Sequence, residues 1–298
     1  MAVKGYRYSE AKKLVKHALQ KGLSVFLWGH PGIGKSTMAR EIASEMGLPL
    51  IDIRLAQSDP TKIGGILYPD REKGLSVWLR PSWVPVDKPA FIFLDEINAA
   101  VTKLHQSIAY QIVLEKRLRE WKFAPGTVVL AAGNLEEDSA IVQTLSQALS
   151  NRFVHFQLKV DVDEWIKWAK RNGIVEPIIS YKKFRGENSL YNNTGDHAFP
   201  SPRSWEFASR LIEDEIRSEK PSITTIRNLV ESAVGKGEAS AFMTFYRHYR
   251  KIDVSGMSFK GNIVKVAKTT EPSFIHALLS AIAVYYSKHF KLIKKDSY

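Results

Sequence analysis

Residues 29–37 read GHPGIGKST, and the first eight fit the spacing G-x-x-x-x-G-K-[ST] in full. Glycines at these places let backbone N–H groups turn inward around phosphate oxygens, and a helix opening behind them adds its positive end. Lys35 can reach the β and γ phosphates, and the Ser36 hydroxyl can ligate Mg²⁺. The run suits a nucleoside triphosphate, with Gly29, His30, Pro31, Gly32, Ile33, Gly34, Lys35, Ser36 and Thr37 as its candidate cradle. An ordinary glycine turn is the plainer alternative. The strand pattern before the run and the helical pattern after it weigh against that.

Residues 91–96, FIFLDE, supply a complement. An apolar central strand delivers Asp95 to its C-terminal end, where open α/β sheets bind ligands and a carboxylate can hold the Mg²⁺ shell. Glu96 follows and can polarise an attacking water as general base. Such acids often end strands as solvated charges; behind a matched cradle they point to hydrolysis. Asn134 closes the strand-like VVLAAGN, expected beside the Asp95 strand, where its amide can position the lytic water; a plain turn residue is the alternative. Arg203, in FPSPRSWEF, lies just inside an expected helix start, where positive charge is locally unfavourable. A compensating anion is implied, either a γ-phosphate or a nearby glutamate. Arg152, in ALSNRF, has apolar neighbours and no carboxylate before Asp161 in sequence.

The elements that must position these residues alternate. SEAKKLVKHALQ reads as an amphipathic helix capped by Ser9. SVFLWG is a strand, KSTMAREIASEMG a helix closed by Gly47, and LPLIDIRL, AFIFLDE, TVVLAAGN and RFVHFQL are further strands. VTKLHQSIAYQIVLEKRL reads as one long helix. Strands alternating with helices predict a mostly parallel α/β sheet. After about residue 160 the patterns are helical: DVDEWIKWAKRNG, PRSWEFASRLIEDEIRSE, SITTIRNLVESAV, EASAFMTFYRHYRKI and SFIHALLSAIAVYYSKHF. The Gly/Asn-rich 185–199 segment is expected to be a flexible surface loop.

Composition narrows the classes. The 298 residues suffice for one large or two smaller domains. No window of 18 uninterrupted apolar residues occurs, and ALLSAIAVYY at 277–286 suits a buried helix better than a membrane span. The start lacks the pattern of a secretory signal. The absence of cysteine excludes disulfides and thiolate metal sites and suits a reducing, cytoplasmic location. The eight histidines show no H-x-x-x-H pair. The net charge is +12, and residues 224–298 alone carry 12 Lys/Arg against 5 Asp/Glu. Lys288, Lys291, Lys294 and Lys295 cluster at the chain end. Such a region can meet phosphate backbones, an acidic partner or anionic lipid, or it can be a solvated face.

Taken together, GHPGIGKST, FIFLDEINAAVTKLHQSIAYQIVLEKRL, VVLAAGN, ALSNRF and FPSPRSWEF resemble an AAA+ ATPase, and more narrowly its MoxR-like branch, over roughly residues 10 to 212. The resemblance implies a P-loop NTPase (AAA+) parallel-sheet domain over 1–158, an all-helical lid over 159–219 and a basic helical extension over 220–298. It implies ATP and Mg²⁺ as cofactors, with Ser36 and Asp95 as metal ligands. It makes Glu96 the base, Asn134 the sensor-1 residue and Arg203 the sensor-2 arginine. Arg152 becomes a finger acting on the ATP of the neighbouring subunit, which accounts for its isolation in sequence.

The same resemblance turns 61–84 into a β-hairpin insertion, read independently from GILYP and LSVWL flanking DREKG. RLREWKFAPGTVV is a second possible hairpin. Tyr68, Trp78, Trp83 and Trp121 can grip a polypeptide, stack on bases or belong to the core. The aromatic-Val/Gly pore signature of AAA+ proteins is not clear in this sequence. The expected assembly is a homo-oligomeric, hexameric ring that remodels or activates a protein partner, one candidate being a von Willebrand factor A-type protein. A nucleic-acid motor or loader working through the basic C-terminal region is the alternative, and a nucleotide-dependent scaffold is a third.

Overall fold

A computed structural model describes residues 4–99, 102–135, 138 and 146–250. The chain divides into two compact units, Met1–Lys159 and Val160–Tyr298. The helix expected at 273–290 and the lysine cluster at 288–295 lie outside the described residues.

In the first unit the strands are β1 (Gly5–Tyr6), β2 (Val25–Trp28), β3 (Leu50–Arg54), β4 (Ile66–Asp70), β5 (Leu75–Leu79), β6 (Phe91–Asp95), β7 (Arg117–Leu118), β8 (Trp121–Lys122), β9 (Val128–Gly133) and β10 (Val154–Leu158). Six of them form a sheet in the order β1-β10-β2-β9-β6-β3, and every pairing in it is parallel. This is the fold class expected from the alternating pattern. β9 is buried throughout and β6 at every residue but its last, because both are central and covered on both faces. The helices are α1 (Tyr8–Gln20), α2 (Lys35–Glu45), α3 (Pro60–Gly64), α4 (Lys103–Tyr110) and α5 (Gln147–Ser150). On α2 the buried positions Met38, Ala39, Ile42 and Ala43 recur at helical spacing, and Gly47 follows in the left-handed region at φ 66°.

Three expectations need correction. Ser9 does not cap α1; the helix begins one residue before it, with Arg7 at the cap position and no side-chain cap bond. The long helix over 101–118 is broken. α4 gives way to a π-turn at Gln111–Glu115, and Lys116 ends it at φ 49° so that the chain can enter β7. The 185–199 segment is not loop throughout, because Glu187–Leu190 is a helical turn with Ser189 and Leu190 buried. The Ser189 carbonyl accepts from Lys182 Nζ and, at 2.9 Å, from Trp205 Nε1, which pins that turn to its unit's core.

Both hairpins are present: β4 pairs antiparallel with β5, and β7 with β8. The Arg119 guanidinium in the second stacks 3.7 Å over the Trp78 ring of the first. Tyr68 is exposed, whereas Trp83 and Trp121 pack against the sheet's core, so those two are structural.

The second unit is helical: α6 (Val162–Arg171), α7 (Glu176–Arg185), α8 (Glu187–Leu190), α9 (Pro202–Arg217), α10 (Ile223–Val234) and α11 (Lys236–Arg250). They share one core containing Trp165, Ile178, Trp205, Ile212, Val230 and Phe242. Asp161 caps α6 by accepting from Glu164 N at 3.0 Å, and a Ser201–Ser204 capping box opens α9 with Pro202 at its first position.

Candidate functional site

β2 lies between β10 and β9 while the next strand in sequence, β3, lies at the sheet's far edge. Strand order therefore reverses at β2, and the crevice beyond its C-terminal end is where such sheets take ligands. The 29–34 turn occupies that place and leads into α2. Its geometry requires glycine. Gly34 stands at φ 109°, and a Cβ there would meet the Tyr8 ring at 3.2 Å. A Cβ on Gly29 would lie 3.3 Å from both Ile33 and Leu158 side chains.

Lys35, the first residue of α2, is buried, and its Nζ donates to the carbonyls of Gly29 at 2.6 Å and His30 at 3.0 Å and to Asn134 Oδ1 at 2.8 Å. The ammonium thus lies inside the turn, held by neutral acceptors. Ser36 Oγ donates to Asp95 Oδ2 at 3.0 Å. A hydroxyl and a carboxylate oxygen side by side are hard donors of the kind Mg²⁺ takes, together with phosphate oxygens and water. Among the described residues no cluster of three or more His, Asp or Glu forms a separate metal site. His30 Nδ1 also lies 2.7 Å from Asp138 Oδ1, tying the outer wall of the turn to the chain beyond β9.

Asp95 ends β6, and its Oδ1 accepts from the Glu96 amide at 3.0 Å. Glu96 adopts φ 54°, an uncommon conformation for a non-glycine residue, and strain of this kind gathers at functional sites. Its Oε2 accepts from Gln57 Nε2 at 3.0 Å. Although Asp52 on β3 reaches solvent, partial burial, followed by the nearby Asp95 carboxylate, raises its carboxyl pKa.

Asn134 follows β9, which pairs with both β2 and β6. Its backbone is clamped by the buried Asn98: Asn98 Nδ2 donates to the Asn134 carbonyl at 2.8 Å, and Asn134 N donates to Asn98 Oδ1 at 3.2 Å. Lys35, Ser36, Asp95, Glu96 and Asn134 are thus gathered at the ends of three adjacent strands. Arg152 lies elsewhere in the same unit, exposed, in the turn after α5, with Nη1 donating to Ala148 O at 3.0 Å. Arg203 is in the second unit, exposed, as the second residue of α9.

Asn98, Gln57 and Asp138 were not legible as site residues in the sequence. Asn98 stands three positions after Asp95, within DEIN, which offered a signal; the other two carry none.

Residues 25–160 match the model of the ATPase family associated with various cellular activities (AAA). No curated protein matches the chain. Among solved structures the chain is similar to a Cytophaga hutchinsonii protein assigned as an ATPase, at 16% identity over 88% of this chain and 89% of that one, with TM-score 0.42. It is similar to a RuvB mutant of Thermotoga maritima at 16% identity, over 92% and 85%, with TM-score 0.47. It is also similar to NtrX of Brucella abortus at 11% identity, over 86% and 60%, with TM-score 0.49. Likenesses this distant carry no argument about activity.

Proposed function

We propose that the protein is a ring-forming, Mg²⁺-dependent AAA+ ATPase of the MoxR-like kind, which couples ATP hydrolysis to remodelling or activating a polypeptide partner. The observation that carries the hydrolytic part is the convergence of Lys35, the Ser36–Asp95 pair, Glu96 and Asn134 on one end of the sheet. In this reading the 29–34 turn and the start of α2 bind the phosphates, and Lys35 moves from its carbonyl partners to the β and γ oxygens. Ser36 and Asp95 would hold Mg²⁺, whose contribution is to offset the charge of those oxygens. Glu96 accepts a proton from the attacking water, and Asn134 orients that water. Arg152 of a neighbouring copy places its guanidinium on the γ-phosphate as charge develops, and the sensor-2 role of Arg203 is supported by the resemblance alone. The polypeptide partner is supported by the resemblance alone.

The test is steady-state phosphate release from ATP with and without Mg²⁺, and with single- and double-stranded DNA over a range of salt. The reading expects Mg²⁺-dependent turnover that DNA does not change, and loss of ATP binding in Lys35→Ala. Undiminished ATP affinity in that variant would sink the cradle. Several-fold stimulation by DNA that fades as salt rises would replace the polypeptide partner with a nucleic-acid backbone.

A further inference from the structure

Trp28 is the last residue of β2, and Gly29 of the cradle follows it directly. Its indole Nε1 donates to His155 Nδ1 at 3.0 Å. The other imidazole nitrogen, Nε2, lies 2.8 Å from the carbonyl oxygen of Ser150 and 3.4 Å from its hydroxyl. An indole N–H only donates and a carbonyl only accepts. The two partners therefore select the neutral ring with its hydrogen on Nε2. The ring is also packed: Phe26 lies 5.7 Å away by ring centres, Phe153 6.2 Å, and Trp28 6.1 Å at 24° between planes.

The Ser150 carbonyl has a second task. It accepts from the Phe153 amide at 3.1 Å, closing the turn that carries Arg152. Arg152 itself is exposed, and its backbone bonds Leu149 O at 3.1 Å. Its Nη1 donates to the Ala148 carbonyl at 3.0 Å, so the backbone of α5 and of the turn after it sets where the guanidinium points. At the other end of the chain of contacts, Lys35 Nζ holds the carbonyl of Gly29, the residue next to Trp28. A phosphate that draws Lys35 off that carbonyl acts on the residue bonded to Trp28.

We propose that His155 is a positioning residue for Arg152, tying the turn that carries the arginine to the strand that ends in the phosphate cradle. The arginine a subunit presents to its neighbour is then set by the strand that holds the subunit's own nucleotide. The inference rests on the role given to Arg152 above. His155 touches no reacting atom; it acts through the turn.

The two halves of the link can be cut separately. His155→Asn keeps an acceptor near the Nδ1 position but loses the donor to Ser150, whereas His155→Gln places an amide N–H near the Nε2 position. Trp28→Phe keeps an aromatic ring and removes the indole donor. Each is measured by kcat, ATP affinity and thermal melting, alone and combined with Arg152→Ala. His155→Asn is expected to lower kcat about tenfold or more with ATP affinity unchanged, while His155→Gln retains most of the rate. On the Arg152→Ala background neither His155→Asn nor Trp28→Phe should lower kcat further, since residues acting as one unit are not additive. Parental kcat in His155→Asn, or an equal loss on both backgrounds, would overturn the proposal. If His155→Asn fails to fold, Trp28→Phe decides: parental turnover overturns it, and a loss confined to the Arg152 background supports it. Normal turnover in Arg152→Ala by itself would instead remove the role of Arg152, and the positioning role with it.

Discussion

The ammonium of Lys35 donates to the side-chain oxygen of Asn134 at 2.8 Å, joining the cradle to the end of β9 across 99 residues of sequence. A phosphate that engages Lys35 competes for the same hydrogens. Asn134 is then left with an amide to direct at a water, and Asn98 keeps its backbone in place. Asn134→Ala is therefore expected to lower kcat by roughly 10²–10³, the usual loss for one pre-positioned polar group, with ATP affinity nearly unchanged. Equilibrium nucleotide binding measured beside steady-state turnover separates the two. Weaker binding with intact kcat would reduce Asn134 to a support for Lys35.

In the proposed ring, Glu96 and Arg152 of one subunit serve different nucleotides. Glu96 adjoins its own subunit's Asp95, whereas Arg152 is exposed in the turn after α5. Glu96→Gln is expected to bind ATP and lose at least about 10²-fold in kcat, and Arg152→Ala to lose about 10³-fold. Neither substitution touches the cradle. When the two inactive proteins are mixed under conditions of subunit exchange, some interfaces pair an intact Glu96 with an intact Arg152. Equal mixing should restore about a quarter of the interfaces of a closed ring. A mixture that stays silent while labelled subunits are seen to exchange would place the arginine in its own subunit's site.

Much of this architecture was legible because the signals were local. β6 and β9 are continuous apolar runs, the cradle is a contiguous pattern, and the 66–79 hairpin announces itself by a polar turn between apolar strands. What escaped was tertiary. The Asn98–Asn134 clamp joins residues 36 apart and the Trp28–His155 bond residues 127 apart, the latter set by the β2–β10 register that pairs Trp28 with Gln157. Helix α7 carried no single apolar stripe, since Ile178, Ile179, Tyr181 and Lys182 are all buried and Lys182 lies in a pocket of aromatic rings. Burial, before the opposing pull of Glu238, holds the Lys182 pKa well below its ordinary value. A lysine in sequence reads as solvent-facing, and this one is not. The broken helix failed for a related reason, since left-handed Lys116 leaves no compositional mark.

Gly133 is a place where packing and chemistry meet. A Cβ built there would stand 2.5 Å from Asn98 Oδ1 and 2.7 Å from the Phe26 ring. Neither neighbour can yield easily, as Asn98 and Phe26 are both buried and Asn98 holds both backbone groups of Asn134. Gly133→Ala is expected to cost about 1–3 kcal/mol by overpacking and to lower kcat in the same sense as Asn134→Ala, because the clamp is displaced. Urea midpoints and turnover measured together check this. A variant with parental stability and parental rate would show that the clamp tolerates displacement.

Lys116 makes stability depend on pH with a definite sign. Its ammonium donates to Ser24 Oγ at 2.6 Å, and burial pulls its pKa down from 10.5 to about 8. Between those two values the unfolded chain keeps a proton that the folded chain has released. The unfolded state then binds more protons, so stability rises with pH through that window. Below about 8 both states are charged and the folded state carries the whole desolvation cost, at most on the order of 3 kcal/mol for a shift of this size. Lys116→Met removes the charge and keeps the length of the side chain. The variant should be more stable than the parent at pH 7, and the gap should shrink as pH is raised through 8 to 10. Comparing urea midpoints of the two proteins at each pH cancels the titration of tyrosines and other groups they share. A gap that stays constant across that range would mean the ammonium is solvated and the burial of Lys116 carries no electrostatic cost.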